Sequence, residues 1–530
     1  MKIFSHQPTP QSTPGQPLDS SRKGSYFTAS LIRRGIVHYL SGRGITAFAA
    51  VLVPLLLVRF MEVTDYAGYT AFSGLLMLLE VVSEVGIKRV VPRYLPELRI
   101  TKAEAELRWT CRWLILIRAV LLILILGAVV LCYPFLAGWF KLPASMKLVW
   151  AFAMYSFSFS MSRLVDVSLQ TLMLQKQAVV GMVLEWYLKL LLLITVLLAL
   201  GGIDLLGALL IQGCSMAVGL LYMLWQLEKH FFLHRDRVFK LEEKLLDWRQ
   251  MAKTGLQNYL WVLSGIYSRP PAVKLFSAYF FNSGITAVVG FSYAIAQLVQ
   301  RYLPSFLLNN IIEPTIMAKY TEAYNFRQCS RYLSIILKIN LLILIPLTGW
   351  FYWYGDVVIS VITGGKYPGS AWIICWLLII LMLQTFTDML QHASNAVQKS
   401  DLLFRSNIKA WFFLAPLLVV VYFLKLPGLL GGLTIIMIFR NGYIAGRLRT
   451  QGYDVSPDWL GIGKMIITTM AALLIAGIAA QMVEKKLYQC LTSLSVGAVV
   501  CFGLLMVLNP FTVVERQTIN NLLGRRLFDR

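Results

Sequence analysis

The chain has 530 residues, 58% of them hydrophobic and 14% charged, with a mean hydropathy of +0.66. Those values exclude an ordinary soluble domain and indicate a polytopic membrane protein. The net charge of +23 would suggest nucleic acid in a soluble protein. Here the basic residues fall mainly in short loops between apolar segments, so membrane orientation accounts for most of them and no nucleic-acid partner is expected. The seven cysteines are scattered and no C-x-x-C occurs, so no metal site, cofactor or disulfide framework is expected.

Residues 1–35 are polar and rich in Pro, Ser, Thr and Gln, with no apolar core beside a cleavage site. They are expected to be a disordered cytoplasmic tail, not a signal peptide. Fourteen apolar stretches follow, each long enough to cross a bilayer. They run roughly 36–59, 66–90, 111–133, 147–171, 178–200, 205–228, 256–280, 285–311, 332–353, 370–392, 403–424, 428–446, 461–483 and 487–508. Charge bias sets their direction. With both termini in the cytoplasm, 30 Lys and Arg lie on that side and six opposite.

The expected fold is an all-α integral membrane protein of about 14 transmembrane helices: two pseudo-repeated six-helix bundles plus two C-terminal helices. The first lobe covers 36–228 and the second 255–450. Residues 451–508 carry the two additional spans and 509–530 a cytoplasmic tail. The connector, 229–254, mixes Phe, Leu, Trp, Arg and Lys in a helical rhythm, which suits either an amphipathic helix on the inner leaflet or a solvated linker. The lobes show internal likeness. Ser41-Gly42-Arg43 opens the first lobe and Ser264-Gly265 with Arg269 opens the second. Pro-containing exits at 92–99 and 313–320 follow in each. A duplication of this kind places a binding site between the halves. The outward loops are short, with no room for a soluble domain.

Span seven is unusual. It carries Arg269, Pro270, Pro271 and Lys274 within an otherwise apolar run. Two prolines break the helix ladder and form a hinge. Broken backbone at membrane depth needs burial in protein or a wet cavity, and a cation there needs a partner or water. Arg43, Lys274 and Arg301 are likewise without an acidic residue one helical turn away. Arg163 with Asp166, and Glu185 with Lys189, have the spacing of intrahelical pairs. Arg59, Lys88, Arg89, Lys338, Lys409 and Lys464 lie near span ends, where long stems reach the interface. The cationic surplus suits an anionic ligand with concentrated charge, such as a pyrophosphate, because guanidinium groups bind two oxygens together. The competing arrangement pairs these cations with Glu80, Glu84 or Asp388 across helices. Asp388 and His392, one turn apart, are candidates for carrying a proton or cation, with Glu80 and Glu84 as further ion-coupling candidates.

Leu52-Val-Pro-Leu-Leu-Leu-Val-Arg-Phe60, Asp65-Tyr-Ala-Gly-Tyr69, the Gly86 exit and Arg93-Tyr-Leu-Pro-Glu97 resemble the start of polysaccharide and O-antigen-type flippases. These are lipid-linked oligosaccharide transporters of the multidrug/oligosaccharidyl-lipid/polysaccharide (MOP) superfamily. The likeness is sharpest over 36–100. It implies alternating access between two lobes in a bacterial inner membrane. A polyprenyl-pyrophosphate-linked glycan would pass its head group through a cationic cavity, with Arg43, Arg163, Arg269, Lys274 and Arg301 as candidates by position. The implied partners are the lipid-linked glycan, membrane lipids and a polysaccharide polymerase or glycosyltransferases. The absence of a G-x-x-x-x-G-K-[ST] motif points to an ion gradient or membrane potential as the driving force. Alternatives are a multidrug cation antiporter of the same superfamily and an accessory subunit of a polysaccharide secretion complex. An enzyme is not expected.

Overall fold

The computed structural model describes residues 29–101, 104–233, 248–307, 326–397, 399, 401–455, 457–484 and 486–523. The tail at 1–28, most of the connector and the second Pro-containing exit lie outside them. The first lobe holds α1 (Ala29–Phe60), α2 (Val63–Glu84), α3 (Ile87–Thr101), α4 (Glu104–Leu131), α5 (Tyr133–Phe140), α6 (Met146–Thr171), α7 (Gln175–Leu200) and α8 (Leu205–Leu233). The second holds α9 (Trp248–Ser264), α10 (Pro270–Phe280), α11 (Ser283–Tyr302), α12 (Pro304–Leu307), α13 (Phe326–Thr363), α14 (Ala371–Ala396), α15 (Asp401–Ala410) and α16 (Leu414–Thr450). Helices α17 (Trp459–Gln481), α18 (Lys486–Leu508) and α19 (Val513–Leu523) follow among the described residues.

Twelve helical stretches among the described residues are long and apolar enough to cross a membrane. The all-α multi-pass fold is as the sequence implies, and the difference from fourteen has two physical causes. One is that 401–450 runs as a single helical stretch but reverses at Lys425, whose φ of 51° and ψ of −129° are not helical. A Cβ on Gly428 would lie 2.6 Å from the Val420 carbonyl oxygen, so the two arms of this hairpin touch. The other is the predicted break. A short 3₁₀ turn, Ile266–Ser268, separates α9 from α10. Arg269 takes an extended conformation (φ −92°, ψ 156°), as a residue before proline must. Pro270 and Pro271 then start α10, where their missing donors cost nothing.

Within lipid, helices associate through close packing and small residues, with little hydrophobic drive. Across the lobe boundary, α2 lies against α10 and α11. A Cβ on Gly290 would sit 1.8 Å from Thr70 Oγ1, so this contact exists only with glycine. Part of the first lobe's interior is an apolar cluster, with the ring centres of Phe72 and Phe152 4.9 Å apart and both side chains almost fully buried.

Contacts join the lobes at both ends of their boundary. On the face where the chain enters, Gly86 adopts a left-handed φ of 79°, and a Cβ there would lie 2.1 Å from the Gly255 oxygen. Tyr259 hydroxyl donates to the Val82 carbonyl at 3.1 Å nearby. On the far face, Arg59 Nη1 donates to Val361 O at 2.9 Å. Lys366 Nζ donates to Arg59 O at 2.5 Å and Met61 O at 2.7 Å. Tyr367 stacks on Phe291 at 6.0 Å and meets Tyr66 at 6.4 Å.

One expectation about charges is corrected here. Lys338 does not extend outward from its helix to the protein surface; it is 1% exposed. Its ammonium donates to Asp458 Oδ2 at 2.6 Å, Glu515 Oε2 at 2.5 Å and Pro510 O at 3.1 Å. This anchors α19, part of the expected tail, beneath α13 and beside the N-terminus of α17.

Candidate functional site

Two separate polar clusters occupy the interior. The first gathers around α6 and α7. Tyr155, Phe159 and Arg163 follow one another at every fourth position and so share a face of α6. The Arg163 guanidinium lies 5.1 Å from the Phe159 ring centre. Glu80 of α2, Glu185 of α7 and Asp166 of α6 attract it. Arg163 is nevertheless exposed while Ser162 and Leu164 beside it are buried. An exposed arginine enclosed by charges from three helices marks open space inside the lobe.

Lys189 Nζ donates to Glu185 Oε1 at 3.3 Å, the intrahelical pair that the spacing predicts. The same ammonium lies 4.4 Å from the centre of the Trp186 ring. Arg301, from the second lobe, lies 5.1 Å from that ring centre. Arg43, from the first lobe, reaches 5.9 Å from the ring of Phe306, in the second. Each lobe therefore rests a guanidinium on an aromatic ring of the other, and cation–π contacts of this kind strengthen on desolvation. Asp166 accepts a hydrogen bond from Gln170 at 2.9 Å, and no ion pair with Arg163 forms among the described residues. Four cations (Arg43, Arg163, Lys189, Arg301) and three carboxylates (Glu80, Asp166, Glu185) meet in this cluster. Glu80 also pairs with Lys88 at 3.4 Å, and Glu84 acts on Arg118.

Among the five cationic candidates, Arg43, Arg163 and Arg301 meet in this first cluster, and Lys274 and Arg269 are placed elsewhere among the described residues. Lys274 is buried at the lobe boundary, where its ammonium donates to Ser73 Oγ at 3.0 Å. Arg269 lies in the second cluster, a cavity of about 50 Å³ in the second lobe. That cavity is lined by Ser268 and Arg269 from the helix break, Thr387 and Asp388 from α14, Asn407 from α15 and Arg440 from α16. His392 stands one turn from Asp388, half-buried and outside the lining. Arg440 is not among the sequence candidates. Its signal was present: it interrupts an apolar run from Leu429 to Phe439. The nearby Arg447 and Arg449 make it resemble the end of a span. Trp186 and Phe306 were also missed, because aromatic residues are common in membrane helices.

No family model matches the chain, and no curated protein matches it. Solved structures do. The lipid II flippase MurJ in an inward closed conformation superposes with a TM-score of 0.66 at 11% identity, covering 92% of this chain and 100% of that one. An inward-facing multidrug-resistance MATE transporter of the MOP superfamily gives 0.60 at 15% identity, covering 79% and 98%. The MATE multidrug transporter DinF-BH gives 0.56 at 15% identity, covering 83% and 99%. The fold is that of the MOP transporters. Sequence identity this low carries the architecture and nothing about substrate.

Proposed function

We propose that the chain is an alternating-access transporter that moves a lipid-linked anionic head group, a polyprenyl-pyrophosphate-linked oligosaccharide, from the inner to the outer leaflet. The observation that carries the reading is the pair of reciprocal cross-lobe contacts, Arg301 on Trp186 and Arg43 on Phe306. When the lobes part, both guanidinium groups lose their rings. They then face the opening beside Arg163, where a pyrophosphate can bridge them through paired N–H···O bonds. Reclosure returns them to the aromatic faces and releases the ligand. In this reading both termini are cytoplasmic, the Gly86–Gly255 contact is the inner gate and the Lys366 contacts are the outer gate.

The test is export of lipid-linked glycan in cells and in reconstituted vesicles. Arg43→Ala and Arg301→Ala are expected to abolish it at normal protein levels. Wild-type export by both variants would remove the assignment. A second reading, antiport of a cationic solute, draws support from Glu80, Asp166 and Glu185 around Arg163. A cationic dye moved by reconstituted protein, with loss on Asp166→Asn and no effect of Arg301→Ala, would favour it.

A further inference from the structure

The surface of α15 and α16 carries a ladder of side chains that neither interior cluster uses. α14 starts beside Tyr367 on the far face and runs back, so α15 begins, and α16 ends, on the face where the chain enters. The reversal at Lys425 sets these two segments antiparallel. Arg405, Lys409 and Phe413 recur at every fourth position on one side, and Phe439, Tyr443 and Arg447 on the other, so each set shares a face. The rungs match. The ring centres of Phe413 and Phe439 are 4.6 Å apart. One rung nearer the entry face, Lys409 Nζ lies 4.4 Å from the Tyr443 ring centre. The Arg447 guanidinium lies 5.7 Å from the same ring centre, and the register sets Arg405 opposite Arg447.

Lys409 and Arg447 are exposed. Among the described residues neither side chain forms an ion pair or a hydrogen bond, and Tyr443 is the partner of both. Arg405 pairs with Asp401 at 3.1 Å, in an open intrahelical bridge of little worth. Two like charges resting on one ring repel each other, and an anion between them would relieve that repulsion. Lys409 lies about 12 Å along α15 from its start, and Arg447 about 5 Å from the end of α16. Long stems at such depths reach the head-group layer. Ile408 and Phe412 stand exposed beside the ladder. Trp411, a residue type that favours this layer, is fixed by donating to Ser264 O at 2.8 Å.

We propose that this ladder binds the phosphate of one anionic glycerophospholipid from the leaflet on the entry side. Arg447 offers a two-oxygen fork and Lys409 a point charge. The acyl chains lie along Phe412, Phe413 and Phe439. The membrane supplies this ligand at that depth, and basic recesses between helices are where such head groups are held. The site is tied to the entry-side contact. Trp411 holds Ser264 O, and Asn407 Nδ2 donates to Trp261 O at 3.3 Å. Both acceptors belong to α9, which also carries Gly255 and Tyr259. A lipid on the ladder therefore braces α15 and α16 behind α9.

The experiment follows thermal stability of the purified full-length chain in phosphatidylcholine micelles at constant ionic strength, with dioleoyl phosphatidylglycerol added in steps. Native mass spectrometry counts the lipid retained. The expected result is saturable stabilisation by phosphatidylglycerol, with one lipid retained. Its apparent affinity should fall roughly fivefold for each cation removed in Lys409→Gln and Arg447→Gln. Melting in phosphatidylcholine alone should not change, since both side chains are exposed. Arg331→Gln, which removes another exposed cation on the entry side, should keep the full response. Equal stabilisation by the two phospholipids would overturn the site. So would an unchanged response in the Lys409 and Arg447 variants, or an equal loss in Arg331→Gln, which would mean general charge attraction only. Displacement of phosphatidylglycerol by a lower concentration of polyprenyl pyrophosphate would assign the ladder to the transported lipid instead. Transport by the Arg43 and Arg301 variants is a separate measurement, so the two readings fail independently.

Discussion

Single charges in this protein are decided by what surrounds them across helices, as Lys338 makes plain. Sequence places it near a span end, and the structure buries it against Asp458 and Glu515. Removing one member of a buried ion cluster leaves the others uncompensated and costs about 3–5 kcal/mol. Lys338→Met is therefore expected to lower the melting temperature sharply and to loosen α19 in hydrogen exchange. The cluster also has an acid limit. Burial raises the Asp458 carboxyl pKa, but hydrogen bonds from Lys338 and the Gly461 N–H outweigh it and hold the group below the usual carboxylate range. A depressed folded pKa adds stability above the unfolded value, about 4, and loses it as pH falls through the folded value. Acid melting that is equal in wild type and Asp458→Asn would contradict this. The same lesson applies to the cationic candidates. Residue types and their depth were legible, and so was the Glu185–Lys189 pair. Their division between two clusters, with Lys274 apart from both on Ser73, was not, because it depends on which helices face each other. At Arg301 the planar group should matter as well as the charge. Arg301→Lys is expected to transport at a level nearer Arg301→Ala than wild type, since an ammonium cannot bind two phosphate oxygens in a fork.

Breaks in the helices were the most readable elements, because proline and glycine act through local sterics. The interruption at Pro270-Pro271 follows from missing donors and the constraint on Arg269, without knowledge of any neighbour. The reversal at Lys425 was harder. The sequence implies two spans there, yet the turn uses a non-glycine residue at positive φ and is recognisable only by the length of apolar sequence on either side. The Gly86 exit was noted from its motif, but its role needed the fold: it meets Gly255 at the start of the other lobe. Gly86→Ala would strain a left-handed backbone and place a methyl group on the Gly255 carbonyl. The expected outcome is an entry-side face held open, with a cysteine at Val82 labelled faster by a membrane-impermeant thiol reagent. Cys132 and Cys214, both exposed, would first be replaced by serine. Unchanged labelling would show that the two backbones separate without that contact.

At the scale of the whole molecule, contacts join the lobes at both ends of their boundary, and those of the far face combine an aromatic stack with a few charged donors. Lys366 holds two carbonyls at the end of α1, where the helix dipole favours a cation. Arg59 completes the link by donating to Val361. Hydrogen bonds from charged donors contribute about 1.5–3 kcal/mol each, and a ligand or mutation shifts a two-state equilibrium only by its differential free energy. Loss of the two Lys366 bonds should therefore move the population toward a far-face-open form by roughly tenfold or more. Lys366→Met retains the stem's packing and removes only the donor, so it isolates this term. The readout is labelling of a cysteine at Phe291, now covered by Tyr367, in oriented vesicles. Faster labelling with unchanged melting temperature is the expected result. Equal labelling would place the barrier in the Tyr66–Tyr367–Phe291 stack instead. In that case Tyr367→Ala, and not Lys366→Met, should open the far face.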